Sequence, residues 1–449
     1  MGIVGSDEMN QAIAYRRPPI AARGASIRKR PHHRIMVLGF LIVLCMPITI
    51  AFYAGTVLIT PYRIYMIALL PYLVFSLATD KSLKAGLADI FVLCFSAWTV
   101  MCVVNNISDG VQRSGQYVLE TISAYLLARV TIRSIDDLLY AVRRIFLFSF
   151  IAFVLAVPEA ITHKKFIMDS TSSLTGMPYA KYVDGTDVRL GMRRPQAFFS
   201  NTILYGLFCT SCIALVWYIT DSIKGRLWRL AVLGGATFFS LSSAPLLAMN
   251  VQLVMILGEY LTRGLKGRVP LTLWLTGLTV VVTNLTTNSG VIGFIVNHLT
   301  FNSVSAYNRI LIWNWGTYNI MQHPIFGLDA DNWVRPPFMK PSCDNYWIVI
   351  TMLGGIPALI FLVSALGVIF WRFGHIDVRR LPPIYAQFRT GWFFSYIAFA
   401  FTGFSVMFFG GIQPLFFFML GLGGAAIPMY QRMAKEAASQ RLTQSRRTG

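Results

Sequence analysis

Hydrophobic and polar positions in this chain alternate in long blocks, not at the two- or four-residue spacing of soluble elements. About twenty apolar residues cross a hydrocarbon core as one helix, and the pattern predicts about twelve such helices. They fall at about 35–54, 61–79, 86–104, 114–131, 143–158 and 196–219, then two sharing 230–262 with a break at Ser242, Ser243 and Pro245, then 270–286, 345–371, 389–408 and 412–430. Around this 35–431 membrane domain lie a basic leader, 1–34, and a basic tail, 432–449. Two long polar loops interrupt the blocks, at about 159–194 and 287–344.

Composition agrees with the pattern. A chain of 449 residues with 55% hydrophobic and only 13% charged residues has too little polar surface to be a soluble globule. The expected class is all-α, a polytopic membrane protein. The 39 Lys and Arg against 19 Asp and Glu sit between the apolar runs, as they do in cytoplasmic loops, so a membrane and not a nucleic acid accounts for them. With both termini cytoplasmic, 28 of the 39 basic residues lie on the cytoplasmic side and 11 on the outer side. Merging the seventh and eighth spans would place Arg263, Lys266 and Arg268 outside, against the same rule. The leader, polar and Arg-rich, has the character of a cytoplasmic tail rather than a cleavable signal. Most of the six cysteines lie within apolar runs, so the Cys209/Cys212 pair is expected to be small core residues.

Both long loops then face outward, where positive charge is disfavoured. The first nevertheless carries Lys164, Lys165, Lys181, Arg189, Arg193 and Arg194. Arginine grips phosphate oxygens bidentately, which suits an outer anion, while headgroup binding is the simpler use. Residues 305–322 of the second loop predict an amphipathic surface helix with apolar positions at Ile310, Trp313, Thr317, Ile320 and Met321, ending at His323-Pro324. Arg309 then falls in its first turn or so, where a cation opposes the helix dipole unless an anion sits there. Its alternative partners are Asp329, Asp331 or a lipid phosphate. Asp329 and Asp331 form a DxD that is weak evidence for a metal, and none is expected. Asp344, at the mouth of the tenth span, is both a candidate general base and a candidate helix cap. Asp89, Glu120 and Glu259, in or near spans, are expected to pair internally or sit at the interface, and the Phe-rich 393–418 stretch to pack or to line a groove for a polyprenyl chain.

At these residues a resemblance emerges. Arg309 and Trp313, then Pro324-Ile325-Phe326-Gly327, then Asn345-Tyr346-Trp347, then Leu353-Gly354-Gly355-Ile356-Pro357 follow an order that resembles the carboxyl-terminal signature of the O-antigen ligase and O-antigen polymerase superfamily. Upstream, Arg193-Arg194-Pro195-Gln196-Ala197-Phe198-Phe199-Ser200-Asn201 resembles that superfamily's Arg-rich entry to a central span. The resemblance implies a GT-C-like glycosyltransferase, independent of metal and cofactor, on the outer face of the bacterial inner membrane. Its donor would be an oligosaccharide on undecaprenyl pyrophosphate. Residues matching Arg193 or Arg194 and Arg309 would hold the pyrophosphate, with Trp313 and Asn345 beside the substrate and Asp344 as base. Ligases usually carry a His where Asp344 stands, so the expectation is a polysaccharide polymerase, with a ligase acting on lipid A core as the alternative. A chain-length regulator and a flippase are the implied protein partners. A transporter, the competing class, fits poorly with long, unequal, charged outer loops and no evident repeat.

Overall fold

The computed structural model describes residues 31–55, 57–179, 188–262, 303–340 and 342–448. Among these residues helix dominates, and seven helices are long and apolar enough to cross a membrane: Pro61–Thr79, Leu87–Asn106, Ile135–Thr162, Thr202–Ile219, Ser243–Leu261, Tyr346–Gly374 and Ile412–Ser439. Pro31–Leu44 is a shorter apolar helix, and Ile223–Phe239 and Pro383–Thr402 pack in the same bundle. The expected ninth span, 270–286, and residues 287–302 of the second loop lie outside the described residues.

Local chemistry moves several boundaries. The first apolar block does not run helical to residue 54. It stops at Leu44, passes through a short turn after Pro47, and forms an antiparallel hairpin pairing Phe52–Ala54 with Val57–Ile59. β-branched and aromatic residues flanking Gly55, whose φ is +65°, favour that hairpin over a helix. The fourth block starts earlier, at Gly110, and has one π-helical turn at Leu119–Ser123. The break inside 230–262 appears as expected, with helices Ile223–Phe239 and Ser243–Leu261 flanking Leu241 at φ +47°. The basic tail continues the last helix to Thr448.

The core sits around that last helix. Phe416, Phe417, Phe418, Met419 and Leu420 are all fully buried, as expected of a helix apolar on every side. Much of the Phe-rich stretch is packing, although Phe404 and Phe409 are exposed: Tyr346, Tyr396, Phe399 and Phe408 meet Phe416 with ring centroids 5.1–5.7 Å apart. Buried charges find partners within the bundle. Arg129 grips Asp89 with Nε and Nη2 each at 2.7 Å, Arg63 and Tyr62 hold Glu120 at 2.8 Å, and Tyr218 donates to Glu259 at 3.2 Å. Where the Thr202–Ile219 span breaks its ladder, Gln252 accepts from the Ala214 amide and donates to the Thr210 carbonyl, which satisfies both backbone groups in an apolar setting. Cys209 and Cys212 are free thiols in this core.

Candidate functional site

The site is built around a helix break. Gly355, inside Tyr346–Gly374, has φ +65° and ψ −176°, a conformation open to glycine and costly for any other residue. The break exposes two backbone groups that a continuous helix would have consumed. The turn after Ser303–Gln322 takes both: Leu328 N donates to Met352 O at 2.6 Å, and Ile356 N donates to Pro324 O at 2.7 Å. The chains touch so closely that a Cβ on Gly355 would lie 2.0 Å from the Ile325 carbonyl, and one on Gly327 2.1 Å from that of Met352. Trp98 closes the joint, its indole N–H donating to Gly354 O at 2.8 Å and its ring stacked on Phe326 at 5.7 Å. Pro324-Ile325-Phe326-Gly327 and Leu353-Gly354-Gly355-Ile356-Pro357 therefore act as a fastener. They fix the direction in which Ser303–Gln322 leaves the head of Tyr346–Gly374.

That direction brings Arg309 to Asp344. The helix is described from Ser303, which puts Arg309 beyond its first turn. Its packed face is Ile312, Gly316, Asn319 and Ile320, not the set expected from sequence; Met321 is exposed. Asn319 is the reason: its amide donates to Val334 O and accepts from Val334 N, both at 2.8 Å, so a polar side chain becomes the anchor of the loop that follows.

Helix capping at the head of Tyr346–Gly374 falls to Asn345. Its side-chain oxygen accepts from Ile348 N at 3.0 Å and its amide donates to Phe404 O at 3.0 Å. Asn345 is buried and fully used, which leaves Asp344 with no capping duty. Asp344 and Arg309 feel each other's charge, yet among the described residues neither side chain forms an ion pair within 4.0 Å or a hydrogen bond. Asp329 and Asp331 are not the partners of Arg309: Asp329 is used inside its own turn and Asp331 pairs with Arg113.

Water reaches Asp344, which is exposed, and Arg309 is half-buried. Surrounding protein still dominates their proton affinity, pushing the Asp344 carboxyl up against the opposing pull of Arg309 and Lys340. It pushes the Arg309 guanidinium down, aided by Arg189 and opposed by Asp344. One turn along from Arg309, Trp313 lies 6.3 Å from the Phe404 ring, which is itself 5.9 Å from Trp347. These three rings floor the region between the helix and the Asn345 cap.

Arginines of the first loop divide between two directions. Val188–Arg189 and Met192–Arg193 form a hairpin in which Arg189 opposes Met192 and Val188 opposes Arg193, turned by Leu190 and Gly191 at φ 53° and 74°. Residues 189 and 193 therefore occupy opposite faces of the ribbon. Arg189 reaches the Leu241 carbonyl at 2.7 Å and the field of Arg309, whereas Arg193 donates to His163 O at 2.6 Å. Arg194 is buried and donates to Ser242 Oγ. Glu159 sets this segment from below by accepting the Gln196 and Ala197 amides at 3.0 and 2.9 Å, and Lys165 binds the Gln196 side chain at 2.8 Å. The structure thus brings Arg309, Asp344, Arg189 and Lys340 into one field and Trp313 beside it. Asn345, Arg193 and Arg194 hold the frame. Adjacency to a span mouth drew attention to Arg193 and Arg194; the two-residue turn that follows Arg189 was the signal for the third arginine.

No protein-family model matches the chain, and a search of the curated proteins finds no match.

Proposed function

We propose that the chain is a glycosyltransferase of the bacterial inner membrane that polymerises a polysaccharide from undecaprenyl-pyrophosphate-linked oligosaccharides on the outer face, within a bundle of about twelve spans. One observation carries the reading: a cation and a carboxylate, delivered by two elements fastened together, stand within each other's field without closing into an ion pair. A pair that served stability alone would close, as Asp89 and Arg129 do. An open pair is what a reaction with an anionic leaving group and a hydroxyl nucleophile needs.

In this reading Arg309 and Arg189 neutralise the pyrophosphate as its bond to the anomeric carbon breaks and it leaves with the electron pair. Fixed positive charge at that point is stabilising because the charge develops there. The acceptor hydroxyl attacks the anomeric carbon and its proton passes to Asp344, whose carboxyl is already raised toward a useful range by its surroundings. Trp313, Trp347 and Phe404 offer flat apolar faces for sugar rings or for the first units of the polyprenyl chain.

The test is a strain that makes long polymer from this chain alone. Arg309→Ala is expected to cut polymer formation by about 10²–10³, the loss seen when one such electrostatic donor is removed, while the lipid-linked single repeat accumulates and protein level holds. Polymer of unchanged length from that variant removes Arg309 from the mechanism. Product attachment separates polymerase from ligase: glycan lengthened on its lipid carrier supports the first, glycan moved to a different acceptor the second.

A further inference from the structure

At the far end of the bundle from Arg309 and Asp344 the helices enclose a charged recess of about 500 Å³. Its place follows from helix polarity. Arg229 lines it near the start of Ile223–Phe239, whose other end, through Leu241, meets Arg189; Val216 and Ile219 line it at the end of Thr202–Ile219, opposite Asn201. Ten residues of helix separate Arg229 from the end at Phe239, a rise of about 15 Å, with Leu241 just beyond. The recess therefore belongs to the opposite membrane surface from the site above.

Four arginines gather there, Arg34, Arg143, Arg144 and Arg229, with Asp136 beside them. Arg34 is paired with Asp137 at 2.9 Å, so four guanidiniums face two carboxylates and positive charge remains in excess. Aromatic rings hold these cations in place: Arg34 and Arg144 both lie over Tyr140, at 5.4 and 4.9 Å, and Arg229 lies over Phe146 at 5.6 Å. Collecting like charges on one ring is unfavourable unless an anion shares the space. A second observation says what kind of anion. Leu147, Ile151 and Val154 form an exposed apolar stripe at helical spacing that leads out of the recess along Ile135–Thr162. A phosphate group in the recess with acyl chains on the stripe satisfies both features.

We infer that this recess binds an anionic phospholipid of that leaflet, and that a lipid carrying two phosphates fits it best. A basic recess between spans at a membrane surface is a recurrent form of headgroup site. The other recess at this end, lined by Trp371, Arg372, His375 and Lys435, lacks the arginine cluster.

Full-length protein in neutral detergent, followed by native mass spectrometry and thermal unfolding, tests this with diphosphatidylglycerol, phosphatidylglycerol, phosphatidylcholine and inorganic pyrophosphate as probes. Diphosphatidylglycerol is expected to be retained and to raise Tm most, phosphatidylglycerol less, and the other two not at all. Arg143→Gln, Arg144→Gln and Arg229→Gln should each weaken retention about fivefold, while the double change Arg372→Gln with Lys435→Gln leaves it intact. Where an arginine variant fails to fold, Leu147→Asn on the exposed stripe gives the same reading, with lipid retention lowered and unliganded Tm kept. Pyrophosphate binding as well as the lipid overturns the lipid assignment. So does equal retention of phosphatidylcholine, or an equal loss in the Arg372/Lys435 variant.

Discussion

The bundle contains two kinds of charge pairing, and their difference says where function lies. Between Leu87–Asn106 and Ala124–Thr131, Arg129 and Asp89 meet through two short bonds, with Tyr125 and backbone carbonyls taking what remains. Everything in that cluster is spent. At the head of Tyr346–Gly374, the side chains of Arg309 and Asp344 stand within each other's field and bond to nothing described. A closed pair in an apolar setting is held because opening it strands a charge; an open pair with an exposed member keeps its chemistry for something else. The same contrast separates Asn345 from its neighbour Asp344: the amide caps the helix so that the carboxylate is left free.

Breaking the closed pair should have the largest effect. Arg129→Met leaves Asp89 buried without its partner, and removing one member of such a pair costs about 3–5 kcal/mol. Loss of folded protein, measured as detergent-solubilised monomer by size exclusion, is the expected result; a normal yield would show that the cluster is not closed in the membrane. Asp344→Asn is the opposite experiment. Transfer should fall about 10²–10⁴, the usual contribution of a positioned base, and stability should not fall. The sign follows from the raised carboxyl. A folded-state proton affinity above the unfolded one favours the protonated form on folding, so its contribution to stability is present at low pH and lost as pH rises. At neutral pH the ionised Asp344 is a burden that the amide relieves. A lowered Tm in Asp344→Asn would place this carboxylate with the closed pairs.

Gly355→Ala probes the fastener between the two elements that carry the open pair. The added Cβ meets the Ile325 carbonyl and the positive φ is strained, at a cost of about 1–3 kcal/mol. Arg309 and Asp344 remain in the chain, but the joint that aims one at the other opens. Activity is expected to drop with both residues intact, and cysteines at 309 and 344 should cross-link less readily than in the parent. Unchanged cross-linking would separate the joint from the site.

These comparisons also show what sequence carries and what it withholds. Runs of twenty apolar residues announce helices because nothing else satisfies a backbone in lipid, and helices appear at most of the expected blocks among the described residues. The hairpin at 52–59 was not legible, since Phe52, Tyr53, Val57 and Leu58 count as apolar whether the backbone is helix or strand. Arg309 and Asp344 could be picked out as misplaced charges, one against a helix dipole and one at a span mouth. Their lack of bonds could not, because Asp344 and Asn345 are both capping residues and only the fold decides which one caps. Arg189 was hidden for a related reason. Three arginines within six residues look equivalent until the Leu190-Gly191 turn puts alternate ones on opposite faces of a ribbon.

The finest test of the open pair is a pH profile. Asp344 accepts a proton only when ionised, so activity should decline on the acid side as pH falls through its raised value. Lys340, exposed and five residues before the Asn345 cap in the same loop, lowers that value together with Arg309. Lys340→Met removes one of the two restraining charges, and the acid limb should move to higher pH. Because Lys340 is in solvent, the shift should be small and should vanish as salt rises above about 0.15 M, where the screening length is about 8 Å. A limb that moves to lower pH, or one that ignores salt, would mean that the group being titrated is not the carboxylate of Asp344.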